Sequence, residues 1–139
     1  MKASRTIYWL FAWLFVGGVV AQVFFAGMAV VAARMSWENH IGLGHTLALP
    51  LIVMLMAMYP GRLPGRMKRL TWLLFAVYVL QADVLIFLRA SVPVLSAFHP
   101  VLALVDFALG LALVRQAAAL RAVDTTVAAQ LQPETTPSD

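Results

Sequence analysis

Three histidines, two aspartates and Gln22 stand inside apolar stretches or at their mouths, and they are this chain's candidates for chemistry. An ionisable side chain among apolar ones costs several kcal/mol unless it is paired or put to use, so each is a candidate by default. They cluster by depth. His40 and His45 open one apolar run and His99 opens another, while Asp83 precedes Arg89 by six residues, about 9 Å along a helix. Asp106 follows His99 by two helical turns on nearly the same face, and Gln22 sits in the middle of the first run.

His45 and His99 form the sharpest pair. Two imidazoles at matched depth on different helices are what a six-coordinate b-type haem requires, one nitrogen on each side of the iron. Gly42 and Gly44 beside His45 leave room for a flat macrocycle, and the surrounding leucines, valines and phenylalanines supply a dry wall. Haem carries two propionates, and Arg34 and Arg89 are placed to meet them with guanidinium groups. His40 lies about 140° around the helix from His45 and so cannot share its face. It reads as an interfacial group or a substitute ligand.

Each residue also has a plain structural reading. His99 before Pro100 can cap a helix, His45 can make an interhelical hydrogen bond to Asp83 or Gln22, and Gln22 lies with Gly18 and Ala26 on a packing stripe. Asp83 and Asp106 can pair with a histidine or carry protons. A different chemistry would join His45 and His99 to Asp83 or Asp106 around a divalent metal, although no HExxH spacing supports it. Phosphate-loop, GxSxG and nucleotide motifs are absent from the sequence, which argues against catalysis on a water-soluble metabolite.

What must position these residues is a set of apolar helices. Of 139 residues, 63% are hydrophobic and 12% charged, far from the half and quarter of an ordinary soluble domain. The absence of cysteine removes disulfides and thiolate sites. Four spans follow, at about 7–33, 41–59, 70–88 and 92–114, each near or above the ~20 residues that cross a bilayer. The first exceeds a secretory signal's apolar core and reads as retained, despite Lys2 and Arg5 before it. Pro50 predicts a bend near Thr46, and Pro93 and Pro100 leave the start of the fourth span open. Residues 123–139 read as a disordered tail.

The net charge of +4 comes from cations that flank the spans, which reads as topology and not as a nucleic-acid surface. Lys2, Arg5, Arg62, Arg66, Lys68, Arg69, Arg115 and Arg121 fall on one side, and Arg34 and Arg89 on the other. The positive-inside rule therefore puts both termini in the cytoplasm and the histidines in the outer half. Tyr8, Trp9, Tyr59 and Trp72 fall at the inner interface and Trp37 at the outer one.

The plan resembles a family of small four-span prokaryotic membrane proteins of unassigned function. The likeness covers about residues 5–117 and rests on four stretches. They are Trp37-Glu38-Asn39-His40, Gly42-Leu43-Gly44-His45, Gly61-Arg62-Leu63-Pro64 and His99-Pro100-Val101-Leu102-Ala103. It implies the four-span fold and the pairing of a Gly-His with a His-Pro helix opening, and supplies no reaction. A looser likeness is to four-helix membrane b-type cytochromes; with three histidines here, and none in the first span, at most one bis-histidine haem fits.

The sequence thus predicts an all-α integral membrane four-helix bundle, up-down-up-down, multi-pass in the inner (plasma) membrane, with residues 1–122 as one domain. The expected function is haem b binding by His45 and His99 for electron transfer, with a quinone or a larger membrane complex as partner. A haem-free accessory subunit is the other reading.

Overall fold

The computed structural model describes residues 1–31 and 37–130, apart from the side chains of 127–129. Helix and turn account for the described residues, with no strand among them. The helices are α1 (Lys2–Val30), α2 (Trp37–Thr46), α3 (Ala48–Ala57), α4 (Gly65–Val79), α5 (Leu85–Leu88) and α6 (His99–Gln130). A π-helical turn, Leu80–Val84, joins α4 to α5, and a 3₁₀ segment, Pro93–Phe98, leads into α6. Joined end to end these make four helices long and apolar enough to cross a membrane: Lys2–Val30, Trp37–Ala57, Gly65–Leu88 and Pro93–Thr126.

The breaks have local causes. Pro50 has no N–H to donate, and the second span is interrupted at Leu47, whose own N–H is shared between the carbonyls of Leu43 (3.1 Å) and Gly44 (3.3 Å). Pro93 opens the 3₁₀ segment and Pro100 stands in the first turn of α6, where a missing N–H costs nothing.

The core runs the length of the bundle. Phe15, Leu51, Met54, Leu74 and Leu113 are fully buried where α1 packs on α3 and α6 and α4 packs on α6. Tyr8, expected at an interfacial belt, turns inward and is buried, and its hydroxyl donates to Thr71 Oγ1 (2.6 Å), which itself donates to the Met67 carbonyl (2.8 Å). Two glycines set close approaches. A Cβ on Gly110 would lie 2.9 Å from Val16 Cγ2, and one on Gly18 would run into the Leu47 side chain. The outer faces carry exposed large side chains such as Leu14, Phe24, Phe87 and Leu104, the surface a lipid-facing bundle presents.

The last helix corrects one boundary. It continues to Gln130, well past the expected end at 114 and through the first part of the expected tail. The extension has partners that composition does not reveal. Asp124 pairs with Arg5 at 2.8 Å, Arg121 stacks its guanidinium on Trp9 at 4.2 Å, and Thr125 and Thr126 donate to carbonyls four residues back. Residues 131–139 of that expected tail lie outside the described residues.

Candidate functional site

At the opposite end of the bundle from Arg5 the helices part around a cleft of about 1250 Å³. Its lining takes Gln22 from α1, Trp37, His40 and His45 from α2, Gln81 and Asp83 from the π turn, Arg89 after α5, and His99 from α6. All three histidines of the chain therefore face one space.

The imidazole that meets His99 is that of His40. The two ring centroids are 6.0 Å apart with the planes inclined at 68°, and the Trp37 ring stands perpendicular to His40 at 5.5 Å. Each ring is held by its Nδ1. His40 Nδ1 lies 3.1 Å from the carbonyl of Gln22, and His99 Nδ1 lies 3.0 Å from that of Gln81. A carbonyl can only accept, so both rings carry their proton on Nδ1 and keep the Nε2 lone pair for another partner. Metal-binding histidines are oriented by this type of bond.

The ring contact to His99 comes from His40, where the sequence pointed to His45. His45 lines the cleft, but it is exposed and its Nδ1 bonds the Ile41 carbonyl of its own helix at 2.9 Å. The physical reason is the 140° between positions 40 and 45: one face of α2 turns toward α6, and it is the face of His40. Gly44 leaves its space to α1, since a Cβ there would lie 2.6 Å from Gln22 Nε2, and its carbonyl accepts the Tyr78 hydroxyl at 2.7 Å. Gly42 has open space beside it. Arg89 and Asp83 are exposed parts of the lining, and Arg34 lies outside the described residues.

Asp106 stands behind this wall, 0% exposed, and accepts Gln81 Nε2 at 2.7 Å. Gln81, 8% exposed, was not singled out by sequence reasoning although it is central. It anchors His99 through its carbonyl and Asp106 through its amide. A π turn adds a residue to a helical turn and re-aims carbonyls and side chains, and such turns gather at functional sites. A signal was present in the sequence: a glutamine stands 18 residues before a histidine at both 22/40 and 81/99. Gln22 Oε1, Gln81 Oε1 and Asp106 Oδ1 are buried without a hydrogen-bond partner among the described residues.

The metal alternative does not assemble. No group of three histidine, aspartate or glutamate side chains converges on a common point among the described residues. What the cleft offers is two imidazoles in edge contact, an apolar surround, and the Arg89 guanidinium and Asp83 carboxylate in its lining.

Residues 22–86 match the model of a family of unknown function, DUF6220. The match covers Gln22, His40, His45 and Gln81 and ends before His99 and Asp106, and it agrees with the resemblance to a small family of unassigned function. No curated protein and no solved structure matches the chain, so the looser likeness to membrane b-type cytochromes gains no support from comparison.

Proposed function

We propose that this chain is a small haem-binding protein of the plasma membrane, with His40 and His99 as the axial ligands of one b-type haem. What supports the reading is one observation: two imidazoles from different spans meet edge to face with 6.0 Å between centroids, each tied by Nδ1 to a backbone carbonyl. The cleft exceeds the usual volume of a small-molecule site, up to about 1000 Å³, and so accommodates a macrocycle.

The residues divide the work. His40 and His99 would offer Nε2 to the iron; the Gln22 and Gln81 carbonyls hold the rings against rotation. Arg89 at the rim meets a propionate, while Val19, Val23 and Ala103 keep water from the ring. Haem, when bound, supplies a one-electron couple. The distribution of lysine and arginine favours an up-down-up-down path with both termini and the Arg62–Arg69 turn in the cytoplasm, which sets the cleft in the outer leaflet. There a quinone or a partner membrane protein can exchange single electrons with it.

The test is an absorption spectrum of the purified full chain from haem-replete cells. A low-spin signature that responds to dithionite, survives His45→Ala and disappears or turns high-spin in His40→Ala and His99→Ala supports the proposal. A colourless, folded protein ends it.

A further inference from the structure

The bond from His40 to Gln22 and the bond from His99 to Gln81 are one arrangement made twice. In both, an Nδ1 donates to the backbone carbonyl of a glutamine 18 residues earlier, and the glutamine's own Oε1 is buried without a partner. The two sets lie 59 residues apart at both the glutamine and the histidine. The same shift aligns buried positions in both pairs of spans. Buried Tyr8, Ala12, Phe15 and Val19 of α1 fall on buried Met67, Thr71, Leu74 and Tyr78 of α4. Buried Leu47, Leu51, Met54 and Met58 of the second span fall on Asp106, Gly110, Leu113 and Ala117 of α6, again all buried. Outward positions agree as well: Trp13 is 46% exposed and its counterpart Trp72 is 49%. Helical periodicity alone would bring one pair of helices into phase. It would not make a single shift serve two pairs of spans and both histidine bonds.

His40 and His99 are counterparts under this shift and touch each other. A contact between equivalent positions of two copies is isologous, and it straddles a twofold axis. Copies that run in the same direction across a membrane are related by an axis along its normal. We infer that the chain is a tandem of two equivalent helical hairpins, related by a half-turn about an axis passing between His40 and His99, and that the haem sits on this axis. The placement of haem rests on the function proposed above; the equivalence of the hairpins does not. Haem would suit such a site through its approximate symmetry, since a half-turn about the line between its two propionates exchanges its faces and the propionates, though it sets vinyl groups on methyl groups. Both propionates then leave along the axis toward the cleft mouth, where Arg89 stands. Buried polar groups differ between the halves, with Thr71 opposite Ala12 and Asp106 opposite Leu47, and Asp106 bonds Gln81 with no counterpart at Gln22.

The inference predicts equivalent ligands. Free imidazole is titrated into the full-length His40→Ala and His99→Ala proteins in detergent, and the return of the low-spin spectrum is followed. Both variants should bind it with affinities within about threefold of each other. If one variant keeps the wild-type spectrum, or binds imidazole more than about tenfold more weakly than the other, the halves are not equivalent around the guest and the inference fails while the haem reading stands. A colourless wild-type chain removes the haem and its place on the axis together. Should an alanine variant not fold, His40→Met and His99→Met keep a ligand on each side and should give matching spectra; spectra that differ overturn the inference.

Discussion

Gln81 donates its side-chain Nε2 to Asp106 Oδ2 across 2.7 Å, joining the π turn of the third span to the interior face of α6. Both groups are buried, and the Gln81 carbonyl holds the His99 ring at 3.0 Å, so one residue couples a core contact to the cleft. Removing the amide leaves a buried carboxyl without its donor, a loss of about 2 kcal/mol. Gln81→Leu should therefore lower the thermal midpoint of the purified protein, and Gln81→Leu with Asp106→Leu should recover much of the loss, because an apolar pair leaves nothing unsatisfied. A double variant no more stable than Gln81→Leu would show that the contact carries no such coupling.

How much of this was legible beforehand follows from what each signal measures. Hydropathy reports which stretches are apolar enough to span, and all four are found with ends shifted by a few residues, except the last. Proline reports missing donors, hence the break beside Thr46. The depth of the histidines was also legible, as simple counting along a helix. Azimuth was not. Whether position 40 or 45 faces α6 depends on how α2 rotates against its neighbours, and the apolar surroundings are alike on both faces. The π turn was hidden because no residue type announces it, and Gln81 and Asp106 depend on it for their meeting. The end of α6 was misread because Asp124 and Arg121 find partners at the other end of the chain, Arg5, Thr6 and Trp9, which no local pattern contains.

The π turn makes its own prediction. Leu80–Val84 holds one residue more than an α-helical turn would, and the Leu85 N–H reaches back to the Leu80 carbonyl. Deleting Ala82 should restore an ordinary α-helical turn with the flanking helices still in phase, while moving the Gln81 carbonyl away from the position that holds His99. Far-UV circular dichroism should then be unchanged, while the hold on His99 is lost and with it the haem spectrum. A deletion variant with a wild-type spectrum would mean that the π geometry is incidental to the site.

At the far end, Arg5 bonds Asp124 at 2.8 Å and the Gly61 carbonyl at 2.9 Å, clasping the start of α1, the central turn and the extension of α6. The pair is partly buried, so its coupling should be about 1 kcal/mol, at the upper end for exposed pairs, and should weaken with salt. A double-mutant cycle with Arg5→Ala and Asp124→Ala, read by thermal unfolding at low and high ionic strength, measures it. Additive losses would dissolve the clasp. Truncation after residue 122 should cost a similar amount, whereas a disordered tail would come away at no cost.

Two glycines of similar sequence context separate packing from helix propensity. A Cβ at Gly110 would stand 2.9 Å from Val16 Cγ2 and 3.3 Å from Phe15 Cδ1, tighter than side chains tolerate, whereas at Gly17 it meets nothing within 4 Å. Phe15 is fully buried and Val16 nearly so, which leaves them little room to give. Gly110→Ala must therefore push α6 from α1, an overpacking cost of about 1–3 kcal/mol. Gly17→Ala should instead stabilise α1 by up to about 1 kcal/mol, the helix-propensity difference. The two variants should shift the thermal midpoint in opposite directions, and a gain in both would mean that α1 and α6 do not approach as closely as Gly110 allows.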